Sequence, residues 1–368
     1  MSEDRTLNLL YLLIRIALYK KISDINEALT EDYNQVFWDN VYSIAKSQGV
    51  SAITLDAINI IYEHNPDINL KISKSLKLRW IALARSVECT YANQLNLSSE
   101  LADFLDAENI KTYVFKGIAL STYYPRPNHR ECGDLDCYLG GLYERGNLLL
   151  LKSGYDVDDS YYVHSHINFK GLMVENHQFT QPVRGSQLYK KFDSHIRELI
   201  QSESGSYIGN TKLIKPSSNF SALHLTSHGL RHFLSEGVKL RHILDWALLL
   251  KAEQNNINWE EFYEWADRLH MTRFADALTA ISVQYFGLEI TNPAIHTTSP
   301  YAERVLEDTL YKSEGLFNKG YSAWKSRFVQ VRNKFSYTWK YHKIYQKSVF
   351  IELMKSAFAF LFEKNPKL

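Results

Sequence analysis

The sequence predicts an α+β fold, with helical regions at both ends enclosing a small mixed sheet. Three observations carry that prediction. Apolar residues recur at helical spacing up to about residue 105. From about 108 to 180 the pattern changes to short, β-rich segments of alternating character. From 186 onward helical spacing returns. These changes divide the chain into a helical region (1–105), a core (106–185) and a mainly helical region (186–368), and 368 residues are enough for two or three domains.

In the first region, "NLLYLLIRIALY" and "EDYNQVFWDNVYSIAKSQGV" read as helices. The second places Phe37, Val41, Ile44 and Ala45 on one face and stops at Gly49. "SAITLDAINIIYEH" starts again with Ser51 as its expected N-cap. "KISKSLKLRWIALARSVECTYANQLNLSSELADFLDAENI" reads as one long helix or two. In the core, "IKTYVFK" is a strand and "GIALSTYY" is helical; Pro125 and Pro127 then break the chain. "DLDCYL" is a second strand, and "GLYERGNLLLLKSGY" a helix closing near Gly154. "YYVHSHINFK" and "GLMVENHQFT" are strands joined by a tight Lys170-Gly171 turn. Beyond 186, a short strand is expected around Lys212–Lys215, followed by helices in "NFSALHLTSHGLRHFL" and "GVKLRHILDWALLLKAEQ". The stretch from Trp324 to Lys347 is rich in Lys, Arg, Tyr and Trp. It reads as a solvated helix with a packed stripe, the alternative being an RNA-binding face.

Composition narrows the function classes. The formal net charge is +1, so no bulk field draws the chain to nucleic acid or to an anionic membrane. The N-terminus opens with acids and Arg15 interrupts its apolar run, unlike a signal peptide. No stretch is apolar for the roughly 18 residues of a membrane span. Cys89, Cys132 and Cys137 make neither a disulfide framework nor a zinc pattern, and free thiols suit a reducing cytoplasm. There is no GxGxxG and no GxxxxGK[ST].

The chemistry concentrates in "RECGDLDCYL". On a strand, Asp134 and Asp136 lie on one face, about 7 Å apart, while Leu135 and Cys137 point to a core. Two neighbouring carboxylates call for a cation between them, which suggests a divalent metal site. The alternative is a turn capped by Asp134 after Gly133. His164 and His166 share a strand face, and His177 lies on the next strand, but no cysteine joins them and no fourth ligand is evident for zinc. His224 and His228, with Arg231 and His232 beyond, resemble a helix face turned to a cleft. Asp245, in an otherwise apolar helix, needs a buried partner, expected in Arg241 or a histidine.

"VFKGIALSTYYPRPNHRECGDLDCYL" resembles the core of a family of uncharacterised nucleotidyltransferases within the DNA polymerase β-like superfamily. The shared features are Lys116-Gly117 after the first strand, a small-residue helix with Ala119 and Leu120, Arg130, the Gly133-Asp134-x-Asp136 strand, and a later Glu175-x-His177. "LHLTSHGLRHF", "GVKLRHILDWALLL" and "FWDNVYSIAKSQGVSAITLDAI" extend the resemblance over most of residues 30–250. It implies a sheet of the polymerase β-like type and Mg²⁺-dependent transfer of a nucleoside monophosphate from an NTP, ATP foremost, to a hydroxyl, releasing pyrophosphate. The implied metal ligands and catalytic residues are Asp134, Asp136 and Glu175, Glu175 assisting the acceptor hydroxyl. Lys116, Gly117, the backbone of Ile118 and Arg130 are implied phosphate contacts. Gly117-Ile118 departs from the Gly-Gly or Gly-Ser of the wider superfamily. A glycine there lets phosphate approach the backbone, and a helix N-terminus after it would present free N–H groups. Lys116 could equally hold the carboxylates by a salt bridge, Arg130 could tie the Pro-rich loop to Asp134, and His177 could contact substrate. The acceptor is a small molecule, a protein side chain or RNA, with no membrane partner. The alternative function is a non-catalytic nucleotide-binding or protein-interaction module that kept the fold.

Overall fold

The computed structural model describes residues 2–30, 33–311, 337–351 and 354. Five helices open the chain: α1 (Ser2–Tyr19), α2 (Ile22–Thr30), α3 (Gln35–Ser47), α4 (Ser51–His64) and α5 (Lys74–Asp106). The apolar run of α1 is buried from Leu9 to Ile14 and packs on α4. Asn34 caps α3, its side chain accepting from the N–H groups of Val36 (3.0 Å) and Phe37 (3.3 Å). Ser51 does not cap α4 as expected. It is the first helical residue and fully buried, and the cap position falls to Val50 without a side-chain hydrogen bond. The long stretch after residue 73 is one helix of 33 residues, about 50 Å long. Its first half adds Leu76 and Trp80 to the main helical core, and its last turns add Leu101, Ala102 and Leu105 to the core beneath the sheet.

The expected strands are β1 (Thr112–Val114), β2 (Leu135–Tyr138), β4 (His164–Phe169) and β5 (Leu172–His177). All lie in one mixed sheet of order β3-β4-β5-β2-β1-β7-β6. The strand expected near Lys212 is β7 (Leu213–Lys215), parallel to β1. Two edge strands were not anticipated, β3 (Val157–Asp158) and β6 (Ser206–Tyr207), because two residues are too few for an alternating pattern to register. The sheet therefore draws β6 and β7 from beyond residue 185. β4 and β5 form a hairpin whose turn residues, Lys170 (φ 53°) and Gly171 (φ 92°), both lie in the left-handed region, as a type I′ turn requires. Below the sheet, α7 (Tyr143–Lys152) contributes Asn147, which accepts from Ser165 Oγ and Asn176 Nδ2, both at 2.8 Å.

Six further helices follow: α8 (Gln187–Ser202), α9 (Ser218–Ser235), α10 (Leu240–Glu253), α11 (Trp259–Arg268), α12 (Thr272–Phe286) and α13 (Ala302–Tyr311). α9 and α10 carry the two histidine- and arginine-rich segments, and α12 packs on α10, α13 and α1. Among the described residues no helix is long and apolar enough to cross a membrane. Most of the basic-aromatic stretch from Trp324 to Lys347 lies outside the described residues. Its described end forms a π-helical turn (Lys340–Ile344) on α9, with Lys340 buried and paired to Asp308 at 2.5 Å.

The Pro-rich loop is fastened by His129. Its Nδ1 meets Asp56 of α4 at 2.7 Å and its Nε2 meets Glu88 of α5 at 2.8 Å. Burial disfavours the imidazolium, but the two carboxylates outweigh burial and the nearby Arg126 and raise the His129 pKa. A raised pKa stabilises the fold fully below the unfolded value of about 6.5, and that contribution is lost as pH rises through the folded value. The stability advantage of wild type over His129→Asn, read from urea midpoints, should therefore shrink as pH rises from about 6 to 9. A constant difference across that range would exclude the charged bridge.

Candidate active site

β5 lies between β2 and β4, and its register builds the site. Asp136 stands opposite Glu175 across the parallel pair, and Glu175 opposite His166 across the antiparallel one. His177 stands opposite His164. Residues two apart share a face, so β2, β5 and β4 present Asp136, Glu175, His177, His164 and His166 together. On the other face Leu135, Cys137, Val174 and Ile167 are buried in the sheet's apolar core, as expected for Leu135 and Cys137. Asp134 precedes β2 and stands at the exposed rim.

Asp134, Asp136, His164 and Glu175 open into a cleft of about 360 Å³. Lys116, Gly117, Asp134, Asp136, His164 and Glu175 line one wall; His228, Arg231, His232, Arg241 and His242 of α9 and α10 line the other. Most of the residues singled out from sequence line this one open space, whereas Ile118, His166, His177 and His224 do not. Lys116 Nζ lies 2.8 Å from Asp136 Oδ1 and 3.0 Å from His228 Nε2. Burial works against the charge of Asp136, but Lys116 and His177 (3.3 Å) outweigh it and hold this carboxyl well below the usual range. Asp134 moves the other way: desolvation raises its pKa, and Asp136 and Glu175 raise it further. Burial also acts against Glu175, but His177 brings its pKa below the usual value. Burial, reinforced by His177, pushes His164 down to about 4.

Gly117 holds φ +57°, a conformation that suits glycine, close beneath the Asp134 carbonyl. The helix after it differs from expectation. α6 (Ile118–Ser121) has only four residues, too few aligned peptides for an appreciable dipole, and the Ile118 side chain is buried in the apolar core. Arg130 is also placed differently. Its Nε and Nη2 donate to Oδ1 and Oδ2 of Asp245, each at 2.8 Å, and Tyr124 donates to Oδ1 at 2.7 Å. Asp245 thus takes Arg130 and Tyr124 as partners rather than Arg241 or a histidine, and Arg130 ties the loop to α10 rather than to Asp134.

Arg231 and Arg241 emerge instead as cleft cations, with the Glu131 carboxyl in the same cleft close enough to feel the charge of Arg241. Among the described residues neither forms an ion pair with a carboxylate, and Arg241 Nε is buried without a hydrogen-bond partner. Arg241 Nη1 donates to the Glu131 carbonyl (2.8 Å), and Arg231 Nη2 lies 2.9 Å from His228 Nδ1. Burial, with Lys116 and other nearby cations, lowers the His228 pKa well below its ordinary value. His242 Nδ1 accepts from the Lys239 N–H (2.9 Å), leaving Nε2 as its donor. The cleft positions of Arg241, considered from sequence only as a partner for Asp245, and of His242 were missed because "KLRHIL" reads simply as the start of an amphipathic helix.

A family described as "Uncharacterised nucleotidyltransferase" matches residues 34–287. The chain belongs to that family. Membership in the uncharacterised nucleotidyltransferases agrees with the resemblance read from the Lys-Gly, Gly-Asp-x-Asp and Glu-x-His segments, all of which fall within the match. No curated protein and no solved structure matches the chain.

The Arg130–Asp245 pair makes a stability prediction. Asp245→Asn removes the charge opposite a buried guanidinium while nearly conserving volume. The expected loss is about 3–5 kcal/mol, the scale for breaking a buried ion pair, read as a lower urea midpoint at unchanged slope. A loss below about 1 kcal/mol, the range of exposed pairs, would contradict the buried arrangement.

Proposed function

We propose that the protein transfers a nucleoside monophosphate from an NTP, ATP in the first instance, to a hydroxyl acceptor, with release of pyrophosphate and dependence on Mg²⁺. Family membership supports the class of reaction. The observation that carries the reading further is the division of the cleft: three carboxylates on the sheet wall face the unpaired Arg231 and Arg241 on the helix wall.

The donor set fits a hard divalent ion. Asp134, Asp136 and Glu175 are oxygen ligands close enough for the last two to raise the pKa of the first, and Lys116 pairs with only one of them. These three would hold Mg²⁺, which when bound would neutralise phosphate charge and acidify the acceptor hydroxyl. Arg231 and Arg241 would take the terminal phosphates, with the guanidinium geometry suited to them. Gly117, without a side chain, lets a phosphate approach the backbone between the walls. Lys116 stays with Asp136 and keeps it ionised. Arg130 maintains the loop that carries Gly133 and Asp134. Glu175 orients the acceptor hydroxyl and accepts its proton. The acceptor is a small molecule, a protein side chain or an RNA end, and the free Cys89, Cys132 and Cys137 suit a cytoplasmic location.

Two variants separate binding from chemistry. Asp134→Asn should weaken Mg²⁺-dependent nucleotide binding in calorimetric titration, with Asp136→Asn acting in the same direction. Glu175→Gln should bind nucleotide nearly normally yet lose transfer by about 10²-fold or more, the scale of a positioned base. Single-turnover transfer to an acceptor identified by incubating labelled NTPs with cell extract provides the measurement. Wild-type turnover in Glu175→Gln would remove its catalytic role. Nucleotide binding without transfer to any acceptor in that extract would favour the non-catalytic module.

A further inference from the structure

The strand pair β4–β5 holds a second donor set that the carboxylate site does not account for. His164 and His166 on β4, and Glu175 and His177 on β5, share one face and stand opposite one another in register. Glu175 lies among the three imidazoles: its Oε1 is 3.5 Å from Nε2 of both His164 and His166, and its Oε2 is 3.6 Å from Nε2 of His177. One ligand atom from each of His164, Glu175 and His177 falls within 4.8 Å of the others. Four ligands at about 2.0–2.1 Å from a tetrahedral ion lie about 3.3–3.4 Å apart, so the histidine–glutamate separations match ligand atoms sharing an ion.

The orientation of His177 supplies a second geometric observation. Its Nδ1 lies 3.0 Å from the Phe179 carbonyl oxygen, which can only accept, so Nδ1 carries the hydrogen. Its Nε2 faces Asp136 Oδ1 at 3.3 Å and Glu175 Oε2 at 3.6 Å, so the ring is turned edge-on to the carboxylates. A backbone carbonyl bonded to the distal nitrogen is also how metal-bound histidines are oriented. His164 points the same way: its Nδ1 is buried without a hydrogen-bond partner and its Nε2 faces Glu175.

We propose that His164, Glu175 and His177, with His166 at the rim, form a binding site for a first-row transition-metal ion such as Zn²⁺ or Co²⁺. Imidazole is a borderline donor that suits such ions, whereas Mg²⁺ selects oxygen. Glu175 is common to both donor sets: the aspartates beside it favour a hard ion and the histidines a borderline one. The site rests on the geometry of β4 and β5 and stands whether or not the protein transfers nucleotide.

The test uses the full-length chain, stripped of metal, without nucleotide. Titration with Co²⁺ should give one tightly held ion per chain with visible d–d absorbance, displaced by Zn²⁺ and retained against a large excess of Mg²⁺. His164→Ala and His166→Ala should each weaken Co²⁺ binding, His164→Ala by about 10–100-fold, the scale on which even the outer partners of metal ligands act. Asp134→Asn should leave Co²⁺ affinity in place. His177 is buried, and should His177→Ala fail to fold, the two β4 variants carry the test. Absence of a stoichiometrically bound Co²⁺ in the folded chain would overturn the proposal. So would Co²⁺ affinity that is lost in Asp134→Asn and unchanged in His164→Ala. Turnover enters none of these readouts, so failure here and failure of the transferase reading are distinguishable.

Discussion

Glu175 faces the cleft, with His177 buried beside it on the same sheet face, because β5 pairs with β2 and β4 in one particular register. A slip of one residue against either neighbour would turn Val174 and Asn176 into the cleft and bury Glu175 and His177 in the apolar layer. Leu172 and Val174 pack into that layer, and Asn176 is anchored from below by Asn147 of α7. The energetics of the hidden face thus set the chemistry of the exposed one. The Lys170-Gly171 turn fixes the hairpin at two loop residues, which leaves no slack in the pairing of β4 with β5.

The cleft also requires charges to be kept apart without collapsing onto each other. Asp136 and Glu175 sit on strands, Asp134 just before β2, and the two guanidiniums on α9 and α10, so backbone elements rather than side-chain reach hold the separation. Where opposite charges do meet, they are spent on architecture. Arg130 and Asp245 meet with two hydrogen bonds in a buried setting, and Lys116 meets Asp136 at the edge of the site. The first pair ties the loop before β2 to α10, and so sets the distance between the two walls. The chain commits one arginine and one aspartate to fastening that loop, while Arg231 and Arg241 form no ion pair with a carboxylate among the described residues.

α5 joins these parts over a long distance. Trp80 at one end lies in the main helical core, and Leu105 at the other lies beneath the sheet. Its middle receives the Pro-rich loop through Glu88 and His129. One stiff helix therefore relates the sheet, the loop that carries Gly133 and Asp134, and the N-terminal helices.

Local patterns in the sequence determined the secondary structure and the candidates for chemistry. The change of period near residue 108 located the sheet. The Gly-Asp-x-Asp spacing pointed to Asp134 and Asp136, because residues two apart on a strand share a face, and the family resemblance pointed to Glu175 and His177. Two-residue strands at the sheet edges escaped notice, since a period needs several repeats. So did the four-residue length of α6, since "GIALSTYY" has helical composition throughout. Partner choice escaped it for a different reason. Arg130 could have met Asp134, a phosphate or Asp245, and Asp245 could have met Arg241 or a histidine. Those alternatives differ only in which helix approaches which loop, and that is settled by packing between residues more than 100 positions apart. The grouping of Glu175 with His164, His166 and His177 belongs to the same class. The sequence supplied four metal-capable side chains, and the pairing of β4 with β5 decided that they face one another.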